Sequence, residues 1–217
     1  MTRRPDPASI RTEVMVPLCF SDGFRTMARV ITFDGLVDRR EHLALGLGHF
    51  ADRNRPGRPR RRPPLVRLHS ECLTGDVFGS VKCDCGRQLH QTMKMIEQEG
   101  RGAVVYQQQE GRGIGIVNKI RAYALQDQGA DTVEANEKLG LAVDLRDYRQ
   151  CAEILFDLGL CQVKVISNNP LKLRALEEAG LKIVERVSIE VDAEEDAAGY
   201  LRTKKEKLGH LLELKRS

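Results

Sequence analysis

The sequence predicts a mixed α/β fold, of the α+β kind, and three observations carry the prediction. Three short apolar segments, 13–20, 25–33 and 41–50, are broken by the turn signals SDG and DGLVD, which is typical of an antiparallel strand meander. After residue 85, apolar runs alternate with segments of helical periodicity. The composition, 41% hydrophobic and 30% charged over 217 residues, is that of an ordinary globular chain. We therefore expect a single domain over residues 1–217.

The first elements after residue 85 follow from local periodicity. The run AVVYQ (103–107) predicts a buried strand because it is short and apolar. Two apolar stripes at helical spacing predict one helix on each side of it: Leu89, Met93 and Ile96 before the strand, and Ile116, Ile120 and Ala124 after it.

The next helix is predicted to begin at Asp147. Gln150 follows three residues later, which fits a capping box. The strand QVKVIS (162–167) comes after this helix. The apolar face of the helix is predicted to comprise Tyr148, Cys151, Leu155 and Leu158.

The C-terminal quarter predicts a helix, a strand and a final basic helix. Asn169 before Pro170 suits an N-cap followed by proline at the first helical position, and Gly180 suits the end of that helix. The run LKIVERVSI (181–189) predicts the last strand. Residues 198–212 predict the basic helix.

The run RNRPGRPRRRPP at 53–64 holds six arginines and four prolines, and without it the net charge of +4 becomes close to neutral. Clustered arginine can neutralise the phosphates of a nucleic acid. A solvated, proline-stiffened internal loop is the interpretation we favour, because the run neither forms a helix nor interleaves aromatic residues for base stacking.

The N-terminal sequence lacks the apolar core of a signal peptide, and no run approaches the roughly 18 apolar residues of a membrane span. We expect a cytoplasmic protein with no membrane partner. In that reducing compartment a tight cysteine cluster indicates a metal site or a catalytic group more than a disulfide framework.

Cys72, Cys83 and Cys85 have the spacing C-x10-C-x-C. Three thiolates suit Zn²⁺, and three protein ligands leave a fourth place for water, as in catalytic zinc sites. His69 could instead close a structural Cys₃His site, and buried free thiols are a third interpretation. Zinc ribbons and fingers use paired C-x₂₋₄-C knuckles, and the sequence has no second pair to complete one.

The segment QQQEGRGIGIVNKIRAY (107–123) leads from a strand into a helix, where backbone N–H groups attract anions. It does not match G-x-G-x-x-G, because Asn118 stands at the third glycine. A simple strand-to-helix turn is one interpretation. Glu110 and Arg112 favour a binding role, since a turn alone does not need them.

Asp144 and Arg146 lie just before the predicted helix at Asp147. Because Asp147 already supplies a cap, these two side chains are available for another role, although an exposed ion pair would also explain them. Tyr123 lies at the edge of an apolar stripe, and the pattern alone indicates a boundary residue.

The motifs RLHSECLTGD, CDCG, QEGRGIG, NKIRAYALQDQGADTVEAN and NNP, in this order, resemble GTP cyclohydrolase II, the zinc enzyme that commits GTP to riboflavin synthesis. The resemblance runs from Arg67 to Gly209 and rests on long contiguous motifs. The N-terminal meander is compatible with the family, and the arginine run at 53–64 is an insertion outside its pattern.

The resemblance implies hydrolysis of the guanine ring at carbon 8, with release of formate and pyrophosphate and formation of 2,5-diamino-6-ribosylamino-4(3H)-pyrimidinone 5′-phosphate. It implies one zinc ion per chain, held by Cys72, Cys83 and Cys85, and Mg²⁺ with the GTP triphosphate. A homodimer is implied as well. Carbon 8 is a poor electrophile toward neutral water, which explains the need for a metal that activates water.

The resemblance also assigns roles to individual residues. Asp144 is implied as proton acceptor, Arg146 as nucleophile toward the α-phosphate, and Tyr123 as a group beside the reacting ring. Since a guanidinium is almost never unprotonated, charge stabilisation is an equally good role for Arg146. The implied GTP contacts are Arg67, Leu68, His69, Ser70, Glu71, Gln88, Glu110, Gly111, Arg112, Thr132, Ser167 and Lys172.

Two alternatives stay open from the sequence. A paralogue could feed another GTP-derived pathway or stop at the formylated ring-opened intermediate. A zinc-stabilised nucleic-acid-binding module could use the arginine run. At Ser167 the family more often has threonine, and the hydroxyl is retained.

Overall fold

A computed structural model describes residues 9–51, 62–142 and 144–191, together with residues 205, 209 and 211. Most of the arginine-rich run, at 53–61, lies outside the described residues. The predicted C-terminal helix at 198–212 also lies outside them, apart from those three positions.

Seven strands form one sheet, in the order β1-β2-β3-β5-β4-β6-β7. From β1 to β5 along this order the neighbours are antiparallel, which confirms the predicted meander. From β5 through β4 and β6 to β7 they are parallel. The strands are β1 Ser9–Cys19, β2 Arg25–Asp34, β3 Leu43–Gly48, β4 Leu65–Ser70, β5 Arg101–Gln107, β6 Gln162–Ile166 and β7 Lys182–Val187.

Four of the helices fall where periodicity predicts them, and two short ones, α1 and α4, do not follow from periodicity. The sequence does carry a signal for α4, because Asp131 and Glu134 form a reciprocal capping box at its start. The helices are α1 Leu73–Asp76, α2 Cys85–Glu99, α3 Gly115–Gln126, α4 Thr132–Lys138, α5 Arg149–Asp157 and α6 Pro170–Glu178.

The two predicted helix starts have different outcomes. Asn169 caps α6 as expected, since its side chain accepts the N–H of Leu171 at 2.9 Å. The capping box at Asp147 is wrong. Helix α5 begins at Arg149, two residues later, and the Gln150 amide donates to the Asp147 carbonyl oxygen at 2.5 Å. The Asp147 carboxylate accepts the Arg149 N–H at 3.0 Å, so it closes a turn just ahead of the helix.

The central strands β4 and β5 are buried on both faces, which is why their burial does not alternate along the strand, whereas the edge strands β1 and β7 are largely exposed. Successive residues of a strand point to opposite faces, so Val66 packs in one core cluster and Leu65 in the other. Helix α5 covers the first face through Ile154, and α2 covers the second through Ile96. The result is a three-layer arrangement with the sheet in the middle.

Helix α3 forms as predicted, but its apolar stripe is not the face that packs against the rest of the protein. Ile120 is 49% exposed and Ala124 is exposed, whereas Lys119 and Ala122 are the buried residues of this helix. The helix therefore turns a lysine toward the interior and isoleucine toward solvent.

The carboxyl ends of the parallel strands β4, β5 and β6 lie at one edge of the sheet. The segments that leave them are 71–76, 108–114 and 167–169. Ligands in open α/β sheets bind at this edge, so the topology brings together three motifs that are far apart in sequence. Across the part of the chain that the structure describes, no helix is both long and apolar enough to cross a bilayer.

Candidate metal and anion site

A cavity opens at this edge of the sheet, and most of the residues predicted as site residues line it. Leu68 and Asp144 lie behind the wall, where each holds a lining residue in place: the Leu68 carbonyl accepts from Lys172 at 2.7 Å, and Asp144 pairs with Arg146. The predicted residues in the lining are Arg67, His69, Ser70, Glu71, Cys72, Cys83, Cys85, Gln88, Glu110, Gly111, Arg112, Tyr123, Thr132, Arg146, Ser167 and Lys172.

Three thiols meet at one end of the cavity. The sulfur atoms of Cys72, Cys83 and Cys85 all lie within 4.8 Å of one another, and those of Cys72 and Cys83 are 3.6 Å apart. Cys72 follows β4 and Cys85 opens α2, so the short loop between these elements gathers all three. None of the three forms a disulfide. Three sulfurs gathered in a small volume are a donor set that suits a thiophilic metal ion such as Zn²⁺.

A glycine makes room for this cluster. A Cβ on Gly75 would lie 2.9 Å from the Cys83 sulfur and 3.1 Å from the Cys72 sulfur. A Cβ on Gly86 would lie 2.1 Å from the Gly75 carbonyl oxygen, so α1 and α2 approach each other this closely because Gly86 lacks a side chain.

The pKa of each thiol depends on its neighbours. The hydrogen bonds to Cys83 and Cys85 lower the pKa of Cys72, and the nearby Lys119 ammonium lowers it further. The hydrogen bond to Cys72 raises the pKa of Cys83. Cys72 is therefore the first of the pair to become a thiolate, which is the form that binds a metal.

Lys119 joins the thiols to the turn Glu110–Gly113. Its Nζ lies 3.0 Å from the Cys72 sulfur and 2.8 Å from Glu110 Oε1. Burial alone would lower the Lys119 pKa, but the hydrogen bond to Glu110 and the Cys72 thiolate outweigh burial and raise it. The ammonium thus stays charged inside the protein.

The turn after β5 has an unusual backbone. Gly111 and Arg112 have φ of 63° and 61°, and for arginine this left-handed conformation is uncommon. The Glu110 carboxylate supports the turn, because it accepts the N–H of Leu73 and of Gly111, each at 2.7 Å. Arg112 is thereby held at the wall of the cavity by a strained backbone.

Cationic side chains from other elements also line the cavity. Arg67 is buried, and its guanidinium donates to the Gln88 side-chain oxygen and, at 3.3 Å, to the Ile166 carbonyl oxygen. The Gln88 amide in turn donates to Asp84 at 2.5 Å, which fixes its orientation. Arg67, held in this way, and Lys172 present fixed positive charge to the cavity, as phosphate binding requires.

Asp144 and Arg146 form a two-pronged ion pair. Arg146 Nε lies 2.9 Å and its terminal nitrogen 2.5 Å from the two oxygens of Asp144. Burial alone would raise the Asp144 pKa, but the hydrogen bonds from Arg146 prevail and lower it. The Arg146 guanidinium also lies 5.7 Å from the centre of the Tyr148 ring, as does the Lys172 ammonium.

Tyr123 reaches the thiol end of the cavity from α3. Its hydroxyl lies 3.5 Å from the Thr74 hydroxyl, which in turn lies 3.7 Å from the Cys72 sulfur. Burial raises the Tyr123 pKa, so the phenol is neutral and can donate a hydrogen bond.

His69 is paired with Asp76 through Nε2 at 3.0 Å. The Tyr106 hydroxyl, at 2.8 Å, and the Cys72 N–H, at 3.0 Å, donate to the same carboxylate. Burial lowers the His69 pKa and favours the neutral imidazole. Among the described residues, the group able to hold a metal consists of the three cysteines without His69. The closed Cys₃His alternative is not formed.

Lys119, Asp76 and Tyr148 contribute to this site and do not emerge from the sequence patterns. Lys119 is one lysine among many on predicted helices, and only the exposure of its apolar neighbours marks it. In the sequence Asp76 looks like a helix-terminal acid and Tyr148 like a core aromatic residue. Only the fold shows that Asp76 accepts hydrogen bonds and that charged side chains lie beside the Tyr148 ring.

The model of the GTP cyclohydrolase II family matches residues 15–188. The chain belongs to the GTP cyclohydrolase II family. It is similar to riboflavin biosynthesis protein RibBA of Bacillus cereus (strain ATCC 14579), with 52% identity over 184 residues, and to RibBA of Bacillus cytotoxicus and Bacillus mycoides, with 52% and 51%. Each match covers 85% of this chain and 44% of the relative, so the chain spans less than half the length of these relatives.

Among the similar solved structures is that of a two-domain 3,4-dihydroxy-2-butanone 4-phosphate synthase, RibBX, from A. baumannii. Its identity to this chain is 16% and the TM-score is 0.41, over 86% of this chain and 41% of that one.

Proposed function

We propose that this protein hydrolyses GTP at carbon 8 of the guanine ring, releasing formate and pyrophosphate and forming 2,5-diamino-6-ribosylamino-4(3H)-pyrimidinone 5′-phosphate for riboflavin biosynthesis. One observation carries the proposal: in a chain of this family, a cluster of three cysteine sulfurs and a wall of buried cations share one cavity. The thiols suit a metal that activates water, and the cations suit a triphosphate.

Cys72, Cys83 and Cys85 would hold a zinc ion. Their sulfurs are gathered without a disulfide, Gly75 leaves space between them, and His69 is committed to Asp76, so a fourth position is left for water or substrate. When bound there, zinc would supply a Lewis acid that activates water near neutral pH. Mg²⁺ would accompany the triphosphate.

The predicted GTP contacts would bind the substrate, as the family resemblance assigns them. Arg67, Arg112 and Lys172 are cations suited to phosphate oxygens, and both arginines can bind two oxygens at once. Glu110 already accepts from Lys119, Leu73 and Gly111, so it would act mainly by holding the turn. Glu71 is the freer carboxylate for the guanine edge, and burial raises its pKa.

For the chemical steps we assign Arg146 to charge stabilisation on the α-phosphate. The Asp144 carboxylate accepts hydrogen bonds from two nitrogens of the Arg146 guanidinium, which favours the protonated guanidinium and disfavours nucleophilic attack by it. Asp144 would position Arg146, and it would accept a proton only after giving up one of these contacts. Tyr123 would orient water or the ring near the thiols.

We also propose a homodimer and a single catalytic domain over 1–217. Large apolar side chains support a further protein contact, because Phe78 and Val117 are each 71% exposed and Val77 is 66% exposed. Light scattering at micromolar concentration tests this, and a strictly monomeric active enzyme would refute it.

Incubation of the purified protein with GTP and Mg²⁺, followed by mass spectrometry and separate assays of formate and pyrophosphate, tests the reaction. The proposal requires formate, pyrophosphate and the diaminopyrimidine product in equal amounts, and their loss after treatment with a zinc chelator. Accumulation of the formylated ring-opened compound would instead identify a paralogue that stops early. GTP left intact by zinc-loaded protein would reject the proposal.

A further inference from the structure

Lys119 occupies a place that the hydrophobic effect would normally give to an apolar residue. It is 8% exposed, while Ile120 and Val117 on the same helix are 49% and 71% exposed. Lysine is almost never buried unless it is paired. Burying this ammonium in preference to isoleucine costs stability, so its partners must account for it.

Those partners belong to three different parts of the site. The ammonium lies 3.0 Å from the Cys72 sulfur, 2.8 Å from Glu110 Oε1 and 5.8 Å from the centre of the Tyr123 ring. Cys72 follows β4, Glu110 follows β5 and Tyr123 lies one helical turn further along α3. One side chain therefore touches the thiol cluster, the strained turn and the aromatic residue beside them.

The negative charges around Lys119 explain why a buried ammonium is placed there. Three thiolates around a divalent ion carry a net charge of minus one, and the buried Glu110 carboxylate adds another negative charge beside them. Clustered buried charges of one sign are costly unless a counter-charge lies among them. The Lys119 ammonium contacts both the Cys72 sulfur and the Glu110 carboxylate, and its single positive charge offsets one of these two negative charges.

We propose that Lys119 is a positioning residue of the metal site: its ammonium donates to the Cys72 sulfur and the Glu110 carboxylate together, and so fixes the metal ligands against the turn that carries Arg112. The proposal rests on the proposed function only for the identity of the metal. A donor to a ligand atom orients that ligand and tunes its bond to the metal, and removing such a donor typically costs about 10- to 100-fold in metal affinity.

The test compares Lys119→Met, which keeps the length and loses the charge, with Lys119→Arg, which keeps a cation. Lys82→Met is the matched control, because Lys82 also lines the cavity and lies 5.4 Å from the Tyr123 ring centre, but pairs with Asp127. Zinc affinity is measured on the full chain by competition with a chromogenic chelator. Circular dichroism verifies that each variant is folded.

A second readout uses the protein loaded with Co²⁺ in place of zinc. The sulfur-to-cobalt charge-transfer band reports electron density on the ligand sulfurs, and a lost hydrogen bond to Cys72 should shift it to lower energy. A residue that merely filled space would leave the band where it is. The loss of charge in Lys119→Met should therefore shift the band, and Lys119→Arg should restore most of it.

We expect zinc affinity to fall about 10- to 100-fold in Lys119→Met, to recover to within about tenfold in Lys119→Arg, and to stay unchanged in Lys82→Met. Wild-type affinity and an unshifted band in folded Lys119→Met would overturn the proposal. If Lys119→Met does not fold, an unshifted band with wild-type affinity in Lys119→Gln would overturn it equally. A protein that binds zinc in this Lys119-dependent way but leaves GTP intact would support the inference and reject the proposed function.

Discussion

Replacing Gly75 by alanine should weaken zinc binding without weakening the fold. The added Cβ would lie 2.9 Å from the Cys83 sulfur and 3.1 Å from the Cys72 sulfur, well inside the roughly 3.5–4.0 Å of an ordinary non-bonded contact. Without metal the thiols can rotate away from the methyl group. With metal they are fixed, so the overlap with the sulfurs acts on the loaded state, whereas the 3.2 Å contact with the Cys85 Cβ is the same with and without metal and cancels in the affinity.

The size of the effect follows from the overlap. Inserting a methyl group into a tightly packed position costs about 1–3 kcal/mol, which corresponds to a loss in zinc affinity of roughly 5- to 150-fold. Alanine favours a helix over glycine by about 1 kcal/mol, but this preference applies to the loaded and the metal-free protein alike. It therefore cancels in the affinity and should raise the melting temperature of the metal-free protein.

Gly79→Ala is the matched control, because it reverses both expectations. Gly79 has φ of 69°, where alanine is strained, yet a Cβ there meets nothing within 4 Å. This variant should melt lower than the wild type and bind zinc normally. Chelator competition and thermal unfolding of both metal-free variants give the four values needed. Wild-type zinc affinity in Gly75→Ala would refute the argument that this glycine makes room for the metal-bound cluster.

Three further predictions follow from the site. Cys83→Ser should lose its zinc complement and abolish ring opening, because only two sulfurs remain; elemental analysis of the purified variant decides it, and full zinc with normal turnover would contradict the assignment. Tyr148→Phe should keep kcat/KM within about twofold, since the buried hydroxyl finds no hydrogen-bond partner among the described residues. Tyr148→Leu should lose about tenfold by removing the ring beside Arg146 and Lys172, and equal losses in steady-state kinetics would argue against the ring contact. Burial lowers the pKa of His69 below its ordinary 6.5, so below this pH the unfolded chain binds a proton more readily than the folded chain does. The free energy of unfolding of the metal-free protein should therefore fall as the pH drops below about 6.5. Urea titrations should show a smaller fall for His69→Gln, and an equal fall would exclude this histidine as the cause.

The strands and most helices could be predicted because they depend on local patterns. Apolar runs bounded by turn residues predicted the meander, and Asn169 with Pro170 predicted the start of α6. The prediction from Asp147 was wrong because its carboxylate accepts the N–H of Arg149, and the helix begins only at Arg149. A capping motif predicts that a helix starts nearby, and tertiary contacts decide at which residue.

The buried face of α3 could not be predicted from hydrophobicity. The rule that apolar residues point inward assumes that the interior is apolar, and α3 packs against sulfur and carboxylate groups instead. Ile120 therefore faces outward and Lys119 inward. The spacing of the three cysteines marked them as candidate metal ligands beside other interpretations, and the fold shows that their sulfurs meet. The link between Asp144 and Arg146 needed the fold to show which oxygen meets which nitrogen.

The two ends of the site differ in how much chain must be ordered before each can form. All three sulfurs come from the segment 72–85, a short loop whose closure costs little entropy. The contact between Lys172 and Leu68 spans 104 residues and needs β6 in place. During synthesis the thiols leave the ribosome long before Lys172 does, so the segment proposed to hold the metal is complete while Lys172, part of the proposed phosphate-binding wall, is still missing.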